Sequence, residues 1–140
     1  MQSLDELLDG TEPHATFHDA SLRELRIDYE ARTLAAVFEL FVGDPDAEAE
    51  SERERSRAGV LELTGLVFWV QDPPDLSAAI KNDPRPWLTG DGPLRECATE
   101  TARRLARDVP ADAWAFCLYF SDWNACAYCA AAGATFRWLA

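Results

Sequence analysis

Four cysteines, two histidines and one polar turn carry most of the side chains in this sequence that could do chemistry. Cys126-Ala-Tyr-Cys129 has the spacing of half a zinc ribbon or of a dithiol redox pair. A ribbon needs a second such pair, and here only Cys97 and Cys117 could complete a ligand set. If the segment is a strand, positions three apart face opposite sides, and the two thiolates cannot share a metal locally. A redox site would need a helix starting after Asn124, whose first turn would lower the thiol pKa of Cys126. A thioredoxin-like unit also needs a long following helix, and only residues 130–140 follow Cys129. Buried, inert thiols are the expected reading, with no metal and no cofactor.

His14 and His18 are four apart, and Asp19 follows directly. On a helix the two imidazoles would share a face, but Pro13 and the strand that follows argue against a helix there. A small metal- or ligand-binding enzyme using His14, His18 and Asp19 is the alternative function. The simpler expectation is that His18 and Asp19 hydrogen-bond locally where the first strand begins. Asp122-Trp123-Asn124 occupies a turn after a strongly apolar run. Trp123 there either anchors an interface or folds onto the core. His18, Asp19, Asp122, Trp123 and Asn124 are therefore the candidate binding residues, and no residue is assigned a catalytic role. The sequence has no P-loop, no G-x-G-x-x-G, no G-x-S-x-G and no H-E-x-x-H.

The elements that must position these side chains are mostly strands. Leu25, Ile27 and Tyr29 alternate with Glu24, Arg26 and Asp28, so Leu22 to Tyr29 has the period of a strand with one wet face. A turn at 30–32 leads into Thr33 to Val42, with Leu34, Ala36, Phe38, Leu40 and Val42 on one side, and the two runs form a hairpin. Residues 43–58 are dense in charge and lack large apolar side chains, which predicts a mobile acidic loop. Val60 to Val70 is a third strand, bent at Gly65 and stopped by Pro73 and Pro74. A short helix is expected at Leu76 to Ile80, a loop from Asn82 to Pro93, and the main helix from Leu94 to Arg107.

Trp114 to Phe120 is apolar on both faces, so that strand should be covered on both sides. For Ala125 to Ala132 the alanines favour helix, whereas the flanking strand-like runs favour sheet, and strand is preferred. Gly133 then makes a turn or bulge, and Thr135 to Leu139 closes the sheet. Near the N-terminus Ser3 and Glu6 have capping-box spacing over a short helix that ends near Gly10. The predicted fold is α+β: a single domain, 1–140, with a mainly antiparallel, curved sheet of about six strands and one main helix packed on it.

The net charge of −12 repels phosphate backbones and anionic lipid, so neither nucleic acid nor a membrane surface is an expected partner. It would steer a basic protein towards this one. The acidic start of the sequence lacks the features of a secretory signal, and Gly65 to Val70 is too short to cross a bilayer, which points to the cytoplasm. A bulky apolar sheet face would also suit a homodimer.

The run Thr16-Phe17-His18-Asp19-Ala20, followed by Leu22, Leu25, Ile27 and the Thr33-Leu34 strand, resembles a group of small uncharacterised bacterial proteins with a Phe-His-Asp-Ala signature. Some of them look like immunity proteins of polymorphic toxin systems. The resemblance covers about the first thirty residues of the fold and implies a compact β-rich fold. It also implies a protein-neutralising role. The expected function is thus a non-enzymatic protein-binding module, of the kind that neutralises a basic toxin domain.

Overall fold

A computed structural model describes residues 1–75 and 85–140; the expected helix at Leu76 to Ile80 lies outside them. The alternating hydrophobic runs become antiparallel strands. β1 (Ala20–Asp28) and β2 (Thr33–Phe41) form the hairpin, and β2 pairs in turn with β3 (Ser56–Gln71). β3 pairs along its length with β6 (Ala125–Trp138), β6 with β5 (Trp114–Phe120), and β5 with β4 (Trp87–Pro93). Pairing of Ala20 with Leu88 and Ser21 with Trp87 joins β4 back to β1 and closes a six-stranded barrel in the order β1-β2-β3-β6-β5-β4. The expected curved sheet is therefore rolled into a barrel, closed at a short β1–β4 seam of two residue pairs.

Three boundaries differ from the sequence reading. Trp87–Pro93 is a strand, although its glycines and prolines favour loop. Its ladder to β5 and its contact with β1 outweigh local propensity. Residues 125–138 are one strand, so Gly133 is an irregularity within it and no turn separates two strands there. The acidic segment is shorter than expected, because the ladder already runs from Ser56 opposite Phe41. The remainder folds around a short helix, α1 (Glu50–Arg53), whose Arg53 guanidinium donates to the carbonyls of Ala47 and Glu48.

The main helix is also divided. A 3-10 turn (Leu94–Glu96) is followed by extended backbone at Cys97, and α2 (Glu100–Ala106) begins after Thr99. The Thr99 hydroxyl accepts from the Ala102 N–H, a side-chain cap that starts a new helix in place of continuing the old one. At the N-terminus the Ser3–Glu6 capping box forms reciprocally over a 3-10 turn at Asp5–Leu8.

Gly65 decides which residues face which side. Its φ of +59° lies in the left-handed region, and the β3–β6 register is irregular just beyond it, between Leu66 and Phe68. Leu61, Leu63 and Leu66 fill the barrel, whereas Phe68 and Val70 pack on the outside beneath α2. Two apolar layers result. The barrel interior holds Leu34, Phe38, Leu61, Phe116, Leu118, Phe120 and Cys129, closed off by Leu4, Leu8 and Phe17 from the N-terminal segment. The outer layer joins Ala102 of α2 to Ala115, Cys117, Cys126 and Tyr128 on the strands beneath it. β5 is covered on both faces, as its composition requires.

Candidate functional site

The candidate binding residues gather around the first residues of β4. The Asp19 N–H donates to the Leu88 carbonyl at 2.8 Å, and the Trp87 N–H donates to Asp122 Oδ1 at 3.0 Å. Asp19 and Asn124 both take positive φ, which Asp and Asn tolerate better than most residues. Tyr119 Oη donates to Asn124 Oδ1 at 2.9 Å. His18 Nε2 lies 3.6 Å from Asp19 Oδ2, with both side chains exposed. His14 is exposed as well, on irregular backbone. Trp123 packs against the barrel core, so of its two expected roles the structure shows the inward one. Asp122, Asn124 and Asp19 thus hold turns in place. Among the described residues no group of three His, Cys, Asp or Glu side chains is placed to hold a metal ion.

A second constellation lies on the outer face of β5 and β6. Because β6 is a strand, Cys126 points out and Cys129 points into the barrel, where burial pushes its thiol up to about 12. Register places Cys117 beside Tyr128 and Gly92, and the loop leading to α2 brings Cys97 over it. The Cys97 and Cys117 sulfurs are 3.2 Å apart. A polar chain supports this face. The Thr99 and Tyr128 hydroxyls are 3.1 Å apart, Tyr128 Oη donates to Asp72 Oδ2 at 3.0 Å, and the Cys126 N–H donates to the same oxygen at 3.1 Å. A cleft of about 430 Å³, lined by residues including Asp91, Glu96, Cys97, Cys117 and Cys126, opens beside the thiols.

The thiols differ in electrostatics. Burial opposes ionisation of Cys97, but the Thr99 N–H, the Cys117 thiol and the Thr99 hydroxyl stabilise its thiolate and leave its pKa below the ordinary cysteine value. Burial raises Cys117, and its hydrogen bond to Cys97 raises it further. Cys97 and Cys117 could join a ligand set by residue type, but nothing local in the sequence signals that they meet. Asp72 carried no signal beyond the proline that follows it.

Asp91 borders the same cleft. Burial pushes its carboxyl above the ordinary carboxylate range, Asp5 pushes in the same direction, and His18 pulls the other way. In the window between the unfolded value of 3.8 and the raised value, the folded state binds more protons than the unfolded chain. Stability therefore falls as pH rises through that window. Asp91→Asn escapes this cost. It is expected to raise the melting temperature slightly at neutral pH, by less than about 1 kcal/mol in stability because Asp91, though partly desolvated by the cleft, keeps contact with solvent. The advantage disappears below the window. Equal melting temperatures at neutral pH would contradict it.

Fold and site together define a small closed antiparallel β-barrel with a helix-covered thiol face. The sequence matches no family model and no curated protein. A solved structure of a protein from Neisseria gonorrhoeae, described only as uncharacterized, aligns over 89% of this chain and 96% of that one, with 16% identity and a TM-score of 0.44. Among the described residues no helix is long and apolar enough to cross a membrane.

Proposed function

We propose that this chain is a non-enzymatic, cytoplasmic protein-binding module of the immunity type, which neutralises a basic toxin domain. One observation carries the reading: Tyr29, at the β1–β2 turn, is 82% exposed between the exposed carboxylates of Asp28 and Glu30. An isolated exposed tyrosine is unremarkable, but this one borders an apolar hollow of about 410 Å³. Leu66, Val67, Phe68 and Trp69 of the β3 bend line it together with Ile27 and Arg32, whose guanidinium donates to the Leu66 carbonyl. An amphipathic aromatic flanked by two carboxylates, beside a recess that is apolar apart from Arg32, suits an interface anchor with electrostatic steering around it. The −12 net charge extends that steering to long range.

Affinity capture at low salt, with the product of the adjacent gene as first bait, tests the proposal. The retained partner should be basic, and its binding should weaken steeply as salt is raised. Tyr29→Ala should weaken binding roughly 30-fold, the scale of an interface hot spot, while leaving the melting temperature unchanged. No retained partner at low salt, or binding indifferent to both salt and Tyr29, would overturn it. A dimer that consumes this surface would show in light scattering and would also count against the toxin-neutralising role.

A further inference from the structure

Cys97 and Cys117 are arranged for a reaction that the protein-binding reading does not use. Their sulfurs lie 3.2 Å apart, so closing to a bond of about 2.05 Å needs only a small approach. The two halves of the pair are held differently. Cys117 is fixed in the β5 ladder between Gly92 and Tyr128. Cys97 stands on the extended link between the 3-10 turn and α2, where it can move without breaking a strand. The cleft of about 430 Å³ gives a small solute access to both sulfurs. Thr99 Oγ1 lies 3.7 Å from Cys97 Sγ, and the Thr99 N–H is placed to donate to the same sulfur. Cys129 supplies a contrast within the same chain, because it is fully buried in the barrel, where its thiol donates to the Phe116 carbonyl at 3.8 Å.

We propose that Cys97 is a peroxide-reactive thiol and that Cys117 resolves its oxidised form to an intramolecular disulfide. The Cys97 thiolate attacks one oxygen of hydrogen peroxide, the O–O bond breaks, and the departing hydroxide takes a proton from solvent and leaves as water. Cys97 is then a sulfenic acid, oxidised by two electrons. The Cys117 sulfur attacks the sulfenic sulfur, the S–S bond forms as the S–O bond breaks, and the hydroxide leaves as water with the Cys117 proton. Overall, two thiols and one hydrogen peroxide give one disulfide and two waters. Cys126, the neighbour of Cys117 on the adjacent strand, has no part in the bond.

The test is peroxide treatment of the full chain, blocking of the remaining thiols, and sequential digestion with trypsin and chymotrypsin. Cleavage after Phe120 and Tyr128 separates the three C-terminal cysteines. A crosslink between the Cys97 and Cys117 peptides is expected, with a loss of about 2 Da and reversal by dithiothreitol. It should persist in Cys126→Ser and Cys129→Ser and vanish in Cys97→Ser. Limited alkylation of the untreated protein should label Cys97 first, a readout that does not depend on any variant folding. Four intact thiols after treatment, a Cys117–Cys126 crosslink, or sulfinic acid at Cys97 without a crosslink would each overturn the proposal. Its failure would leave the protein-binding reading untouched, because that reading rests on a different face.

Discussion

Phe17→Ala should remove about 3–5 kcal/mol of stability, the usual cost of deleting a large ring from a packed core. The ring is 1% exposed. It stands edge-on to Phe38 at 5.4 Å and to Phe136 at 5.7 Å, so it bridges β2 and β6 across the barrel interior. Its N–H donates to Asp5 Oδ1, which ties the N-terminal 3-10 turn to the same end of the barrel. Truncation therefore opens a cavity and loosens the segment that covers it. Leu4 and Leu8, buried in the same cluster, lose packing with it. His18→Ala, one residue on, should change stability by no more than about 0.5 kcal/mol, because both partners of the His18–Asp19 pair are exposed. Urea titrations with unchanged slope would measure both. A Phe17→Ala midpoint close to that of the parent would show that the interior is not organised around this ring. Within the Phe-His-Asp-Ala run, then, the phenylalanine is structural, whereas the His18 and Asp19 side chains are exposed.

Gly65→Val should cost roughly 3 kcal/mol through two separate terms. The φ of +59° is strained for any L residue and worst for a β-branched one. A Cβ at this position would also lie 2.7 Å from the Ala132 Cβ on the paired strand. Ala132→Gly in the same chain should recover the contact term and leave the dihedral term. Partial rescue measured by denaturation would separate the two. If Gly65→Val were as stable as the parent, β3 would not need its bend. Phe68 and Val70 would then have no reason to switch from the barrel interior to the layer beneath α2.

Most strands could be read from local pattern, because period-two alternation reports directly which backbone lies between water and a core. The preference for strand at Ala125 to Ala132 also holds, since β6 extends the sheet through it. Three alanines in a row favour helix in isolation, but small side chains are what lets β6 lie closely under α2 while Cys129 and Ala131 face inwards. Trp87–Pro93 was not legible for the opposite reason. Its Gly90, Gly92 and Pro93 signal a loop, and only the ladder to Leu118 and Cys117 makes it a strand. The single helix expected over 94–107 failed at Thr99, where a capping hydroxyl competes with helix continuation and wins.

By itself the sequence determined the strand-rich class, the acidic surface, the bend at Gly65 and the opposite facing of Cys126 and Cys129. These follow from charge count and from a two-residue period, and neither needs a distant partner. The tertiary structure alone decided that the sheet closes, that Phe17 plugs it, that Tyr29 stands over a hollow made by β3, and that Cys97 meets Cys117. Each of those depends on residues far apart in the chain being brought together by ladder hydrogen bonds and burial. No local pattern encodes such a juxtaposition, because its energy exists only once the barrel has formed.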